Sequence, residues 1–212
     1  IGTDNCDIVL NELDALANID FATRTEKDEH RTLEIVRVGT CGGMQEDIPL
    51  GTFLVSEKSI GWDGLLAFYE GRDEIADLGF EDALVDFIHY PAKAARPYVV
   101  AANPELVNRI AGDDMMRGCT IAANGFYGPQ GRVLRCDLAV KDINERITDF
   151  RYEGQRITNY EMEGSAIAGL SLLMGHKAMT VCCVIAQRKV EAANTDYKPR
   201  IKQLVQTVLE RI

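Results

Sequence analysis

The sequence predicts a single α/β layered domain over residues 1–212. Three observations predict it. Strand-like apolar runs alternate along the chain with segments of helical periodicity. A long, mostly apolar helix carries small residues that allow close packing. One apolar, partly β-branched run, Ala178 to Ala186, reads as a central buried strand. With 212 residues, 46% hydrophobic and 26% charged, the chain can bury one sizeable core and has the composition of an ordinary globular protein.

The elements follow in order. Ile8, Val9, Leu13 and Leu16 fall at helical spacing after Asp4 and Asn5 as candidate caps. The charged insert Thr23 to Thr32 reads as an exposed loop. Leu33 to Val38 is strand-like and ends in glycines. Gly51 to Ser56, after the Pro49 turn, is a second strand. Pro97 to Ala102 is a third, with Asn103-Pro104 opening a helix to Ile110. Arg117 to Ala123 is a fourth strand. Glu161 to Met174 is the long apolar helix, with Gly175 as its C-terminal cap. The tail from Lys198 is amphipathic, with Ile201, Leu204, Val205, Val208 and Leu209 on one face. No internal repeat, linker or low-complexity segment interrupts this order. The chain opens at Ile1 without a Met, and Ile1-Gly2-Thr3 runs almost directly into helical pattern, as expected of a chain that begins inside a fold.

A net charge of -10 and a sequence pI of about 4.8 argue against non-specific binding to nucleic acid or anionic membranes, which needs basic surface. A local basic pocket for a small anion is compatible with that charge. No apolar run approaches the length of a membrane span, and no signal peptide is visible. The six cysteines lie in apolar or Gly-rich contexts without paired Cys-x-x-Cys spacing. They are expected to be reduced core thiols of a cytoplasmic protein. His30, His89 and His176 form no metal-binding spacing, so no metal site is expected.

Four segments could carry chemistry. Arg37-Val-Gly-Thr-Cys-Gly-Gly43 exposes backbone N–H groups at a strand's carboxyl end beside a hydroxyl and a guanidinium, which suits an oxyanion. A tight turn with Arg37 paired to a carboxylate fits the same pattern. Phe126-Tyr-Gly-Pro-Gln-Gly-Arg132 combines an amide, a rigid fork of donors and two aromatics, tools for reading the polar edge of a heterocycle; a surface turn is the alternative. Asn159-Tyr-Glu-Met-Glu-Gly164 sets two carboxylates around a thioether where a polar segment turns into an apolar helix. Residues two apart on a helix do not face each other, so Glu161 and Glu163 serve different ends. Acidic groups in a first helical turn also suit the macrodipole, so an ordinary helix start accounts for the spacing too. Val184-Ile-Ala-Gln-Arg188 brings polar groups to the end of a buried strand, where open α/β sheets bind ligands; Arg188 could equally be a solvated strand end. Glu57, Asp63 and Tyr69 lie in loops with no partner evident from sequence. Trp62 reads as packing, and Arg72, Asp73 and Glu74 as a solvated face.

Taken together, these segments closely resemble the nucleoside phosphorylase-I family, its uridine phosphorylase branch in particular, over nearly the whole chain. The resemblance implies a three-layer α/β/α domain with a mixed central sheet, lacking the family's N-terminal strands. It implies that Arg37 and Thr40 bind phosphate, with Thr40 also touching the ribose. Phe126, Gln130 and Arg132 match the uracil-reading loop, and Arg188 matches the arginine that supports it. Tyr160 to Glu163 matches the ribose signature: Glu163 grips the sugar hydroxyls and Met162 packs on the sugar, and Glu161 is counted with them as substrate-binding, positioning of the loop being its alternative. The implied reaction is reversible phosphorolysis of uridine to uracil and ribose 1-phosphate in pyrimidine salvage, with deoxyuridine and thymidine as further candidates. Phosphate is then a co-substrate and no cofactor is expected.

The alternatives are a purine nucleoside phosphorylase or nucleosidase of the same family, or a non-catalytic nucleoside-binding member. Purine-cleaving relatives place a Ser-Asp after the last core strand; here the stretch is Ala186-Gln187-Arg188, with Gln187 where Asn is common. The family's Gly-Asp-Pro loop, which supplies a phosphate-binding Gly and Arg, would precede Ile1, and Ile1 and Asn5 fall where its glycine turn enters the first helix. Shared sites in the family imply a homo-oligomer, a dimer or a hexamer built of dimers.

Overall fold

A computed structural model describes residues 2–188 and 192–212. Ile1, placed above at the entry to the first helix, lies outside the described residues. Helix α1 (Thr3–Asn18) leads through a small hairpin, β1 (Ile19–Asp20) and β2 (Thr25–Glu26), to β3 (Glu34–Gly43) and β4 (Phe53–Gly61). Next come α2 (Arg72–Ile75), α3 (Leu78–Ile88), β5 (Tyr98–Ala101), α4 (Pro104–Ile110) and β6 (Met115–Ala122). The second half holds α5 (Ile143–Asp149), β7 (Arg151–Tyr152), β8 (Gln155–Glu161), α6 (Gly164–Leu173), β9 (Lys177–Gln187), β10 (Ala192–Ala193) and α7 (Lys198–Arg211).

The sheet runs β10-β9-β3-β8-β6-β4-β5, with β7 paired to β8. β3 is parallel to β9, and β6 is parallel to both β4 and β8. β3–β8, β4–β5 and β4–β9 are antiparallel, so the sheet is mixed. Because β4 also pairs with β9, the strands β9, β3, β8, β6 and β4 close into a ring. Cys41, Ile48, Leu54, Cys182 and Val184 pack together as one cluster of strand and loop side chains. Helices flank the sheet: α1 and α6 bury Cys6, Leu10 and Leu170 with Tyr98. α4 and α7 bury Leu106, Leu204 and Val208 against Phe53 and Val181, and α3 and α5 bury Leu84 and Ile147 with Ile121. This is the three-layer α/β/α arrangement expected above.

Local chemistry sets the element ends. Pro104 opens α4, and the Asn103 side chain accepts the Leu106 N–H at 3.1 Å. α6 ends at Gly175 with φ 73°. There the Gly175 N–H donates to the Leu172 carbonyl at 3.2 Å and the His176 N–H to the Ser171 carbonyl at 2.7 Å.

The structure corrects several expectations. β3 does not stop at its glycines; pairing with β9 carries it to Gly43, with a bulge between Cys41 and Gly42. Ile8, Val9, Leu13 and Leu16, which mark the α1 period, face solvent, and the helix packs through Cys6 and Leu10 instead. On α7, Leu204 and Val208 are buried while Val205 and Leu209 are exposed. Cys136 is an exposed thiol, unlike the other five, which are buried. Arg72 is not merely solvated: its Nη2 donates to buried Glu81 at 2.6 Å. β8 carries no clear strand signal because Thr158 and Asn159 are polar. They are buried all the same, since Asn159 Oδ1 accepts from the hydroxyls of Thr120 at 2.9 Å and Thr158 at 2.8 Å.

Candidate active site

The strand register gathers the four sequence segments. Gly42 of β3 sits opposite Tyr160 of β8 on one side and Ala186 of β9 on the other. The ends of these strands, with the loop after β6, surround a cavity of about 270 Å³. Arg37, Thr40, Glu161, Met162 and Glu163 line it together with Phe126 and Gln130. Arg132 and Arg188 are not in its wall; they stand behind Gln130.

Arg37 holds both carboxylates. Its Nη1 lies 3.2 Å from Glu161 Oε2, and its Nη2 donates to Glu163 Oε2. Nη1 also donates to Cys182 Sγ at 3.1 Å. A Cβ on Gly39 would lie 2.7 Å from Arg37 Nη1, so glycine is what lets the guanidinium lie back over its own strand. The carboxylate-paired arrangement of Arg37 is therefore the one found, and it is found inside the cavity.

Glu161 is the last residue of β8, with its backbone registered opposite Ala122 of β6, so the helix starts at Gly164 and not at Glu161. Its fully buried carboxylate accepts the N–H of Glu163 at 2.9 Å and that of Gly164 at 3.0 and 2.9 Å. Glu161 thus caps α6 from the preceding strand, where the helix dipole favours negative charge. Glu163 accepts the Gly2 N–H at 2.8 Å. Burial pushes the Glu161 carboxyl above its ordinary range, with Arg37 and the two N–H groups opposing. Burial also acts to raise Glu163, but the Gly2 N–H and Arg37 outweigh it and hold Glu163 below that range. Two carboxyls two residues apart are thereby driven in opposite directions.

The loop after β6 forms a short 3₁₀ turn, Gly128–Gln130, closed by Gly131 at φ 67°. Gln130 is buried, and its Oε1 accepts from Arg132 Nη1 at 2.7 Å and Arg188 Nη2 at 2.7 Å. Only an oxygen can accept two guanidinium donors, which fixes the amide orientation. Its Nε2 makes no hydrogen bond among the described residues. The Arg132 guanidinium lies 3.7 Å over the Phe126 ring and also donates to the Phe126 carbonyl. Arg188 stacks 4.8 Å from the Tyr160 ring centroid. Burial, and then repulsion from Arg132, pushes Arg188 down to about 10.

Tyr160, Cys41, Gly42, Ile185 and Ala186 also line the cavity and were not marked as site residues by sequence. Ile185 and Ala186 end the central strand, the position where α/β sheets bind ligands, and that was their available signal. The Gln187 side chain donates to the carbonyls of Gln45 at 2.6 Å and Ile48 at 2.9 Å, tying the 45–48 loop to β9. Partners also emerge for these three residues, and Glu57 lies within β4 and not in a loop: Asp63 accepts from the hydroxyls of Tyr98 at 3.0 Å and Ser165 at 3.2 Å, Tyr69 donates to Asp7, and Arg117 donates to Glu57 at 3.4 Å. No metal-binding group of side chains occurs among the described residues. Among the described residues no helix is long and apolar enough to cross a membrane.

A family model described as the phosphorylase superfamily matches residues 1–211. The chain is 28% identical over 161 residues to uridine phosphorylase A of Schistosoma mansoni, covering 72% of this chain and 47% of that protein. It is 24% identical over 155 residues to a uridine phosphorylase of Thermococcus kodakarensis, covering 72% and 48%. The chain therefore spans about half the length of these curated relatives. A Trypanosoma brucei nucleoside phosphorylase structure, described as showing uridine phosphorylase activity, superposes with a TM-score of 0.83 at 25% identity, covering 100% of this chain and 77% of that one. The uracil complex of the Schistosoma mansoni enzyme shares the fold with a TM-score of 0.66 at 24% identity, covering 99% and 67%.

Proposed function

Since this chain belongs to the phosphorylase superfamily, we propose that it works as a uridine phosphorylase, converting uridine and phosphate reversibly to uracil and ribose 1-phosphate. The observation that carries the reading is the pinned amide of Gln130. With Oε1 held by two guanidinium groups, the side chain can offer only its N–H donors to a ligand in the cavity. Uracil presents carbonyl acceptors at its polar edge; cytosine would set an amino donor against a donor and be rejected.

In the proposed reaction a phosphate oxygen bonds to C1′ as the glycosidic bond breaks through an oxocarbenium-like transition state. The bonding pair leaves with the base, and its negative charge is met by Gln130, with the Arg132 guanidinium behind it. Donors aimed at charge that develops only in the transition state lower the barrier. Arg37 and Thr40 hold phosphate beside the sugar, which supplies proximity. Met162 packs on the sugar and Glu163 binds its hydroxyls. Arg37 faces two carboxylates, so its contact with Glu163 must open for phosphate and ribose to enter together. Phosphate is the co-substrate and no cofactor is required. Ala186 and Gln187 provide no acid for a purine leaving group, which favours uridine over the purine and nucleosidase branches. A cytoplasmic homo-oligomer acting in pyrimidine salvage is the setting this reading implies.

The test is the absorbance change of uridine cleavage with and without phosphate, and with inosine in place of uridine. Phosphate-dependent loss of uridine with inosine untouched is expected. Inosine cleavage at an equal rate, or cleavage without phosphate, would move the protein to the other branches. The non-catalytic reading draws on the carboxylate-engaged Arg37. Calorimetric titration with uridine and phosphate separates it, because a binder forms the complex and releases no uracil.

A further inference from the structure

We infer that Asn144, on α5, is a positioning residue for base recognition: its amide clamps the Gln130–Gly131 turn and ties it to Tyr160 in the cavity wall. The role in catalysis rests on the uridine phosphorylase reading; the clamp itself rests on geometry alone.

Three contacts converge on this one side chain. Asn144 Nδ2 donates to the Gln130 carbonyl at 3.3 Å and to the Gly131 carbonyl at 3.4 Å. Its Oδ1 accepts from the Tyr160 hydroxyl at 3.2 Å. Only an amino group can donate to two carbonyls, so the amide has a single orientation. The Gln130 carbonyl also accepts from Arg188 Nη1 at 2.8 Å. A carbonyl has two lone pairs, and here one donor comes from just past β9 and the other from α5. Gly131 makes room for this contact. At φ 67° it takes the left-handed backbone, and a Cβ there would overlap Asn144 Nδ2.

The helix gives Asn144 a fixed base. Ile143 and Ile147 of α5 are buried in the same apolar cluster as Tyr160. The Asn144 carbonyl accepts from the Thr148 hydroxyl at 2.7 Å, one turn further along α5. A side chain on a packed helix holds a geometry more closely than a loop does. Arg132 and Arg188 orient the Gln130 side chain through Oε1; Asn144 fixes the backbone that carries it. The three side-chain contacts lie at the base-reading turn and Tyr160, away from Arg37 and Thr40, the proposed phosphate groups. Loss of the clamp therefore falls on the base and spares the phosphate end, and a displacement of about 1 Å is enough to cost about 100-fold in rate.

The test uses the reverse reaction, uracil with ribose 1-phosphate, on Asn144→Ala and Asn144→Asp, with a thermal melt of each. KM for uracil should rise about ten-fold, kcat/KM for uridine should fall about 10- to 100-fold, and KM for ribose 1-phosphate should hold. Equal changes in the two KM values, or none, would overturn the inference. Asn144→Asp keeps the size of the side chain and the acceptor for Tyr160, but sets oxygen against two carbonyls. It should lose at least as much as Asn144→Ala, and a wild-type KM for uracil in it would overturn the donor role. Amide hydrogen exchange reads the clamp without substrate. The N–H groups of Gln130, Gly131 and Arg132 donate within the turn, and in Asn144→Ala they should exchange faster while those of β9 do not. Unchanged exchange would overturn the clamp. Faster exchange in a protein whose wild type leaves uridine intact would sink the uridine phosphorylase reading and leave the clamp standing.

Discussion

Arg188 donates to both oxygens of Gln130, to the backbone carbonyl at 2.8 Å and to Oε1 at 2.7 Å. One rigid fork thus sets where the turn sits and which way its amide faces. A lysine at 188 is a point charge with no such fork. The residue that orients the proposed base contact follows directly on the end of β9, 58 positions away in sequence.

Arg188→Lys should lower kcat/KM for uridine about 10- to 100-fold, the usual effect of losing a group that orients a functional side chain. Steady-state kinetics with a thermal melt beside them is the check. Full activity in a folded variant would mean that Arg132 alone suffices to hold Gln130.

Arg37→Ala leaves Glu161 and Glu163 facing each other in a buried corner without their cation. Breaking a buried pair in this way destabilises by about 3–5 kcal/mol. Chemical denaturation of the variant should read a loss of that size, along with loss of phosphate-dependent turnover.

Glu163→Gln should alter the acid limb of stability. The folded carboxyl is held below its ordinary value, so its contribution is present above the unfolded pKa and is lost as pH falls through the depressed folded value. Glu161, raised in the fold, works with the opposite sign. Melting temperatures of wild type and variant, compared from neutral to acid pH, should converge as the pH drops. A gap that stays constant would show that the Glu163 charge contributes nothing.

Leu10→Ala and Leu16→Ala test the packing of α1. Leu10 is 4% exposed and Leu16 66% exposed. The first substitution should cost about 2–5 kcal/mol and the second less than about 0.5 kcal/mol, measured by denaturant unfolding.

The legibility of α1 illustrates a wider division. Its helical period was plain, but four apolar residues at that spacing lie on its solvent side, and burial fell to Cys6 and Leu10. Periodicity identifies a helix; it does not say which face meets a neighbour. β8 was missed for the complementary reason. Its polar Asn159 is buried with Oδ1 accepting from the hydroxyl of Thr120, across the sheet in β6, a partner 39 positions distant that no local pattern announces.

At the site, residue types and spacing were enough to single out Arg37 with Thr40, Gln130 with Arg132, the two glutamates and Arg188. They were enough also for the alternating strand and helix pattern of the domain. Which of these groups touch one another was decided by strand register. The pairing of Gly42 with both Tyr160 and Ala186 brings β3 between β8 and β9. It thereby sets one guanidinium against two carboxylates, while the local turns after β8 and β6 make Glu161 a cap on α6 and set Arg132 behind Gln130. Sequence carries the chemistry of each side chain. The closed ring of strands decided the contacts between segments, because Arg37 with the two glutamates and Arg188 with Gln130 join positions far apart in the chain.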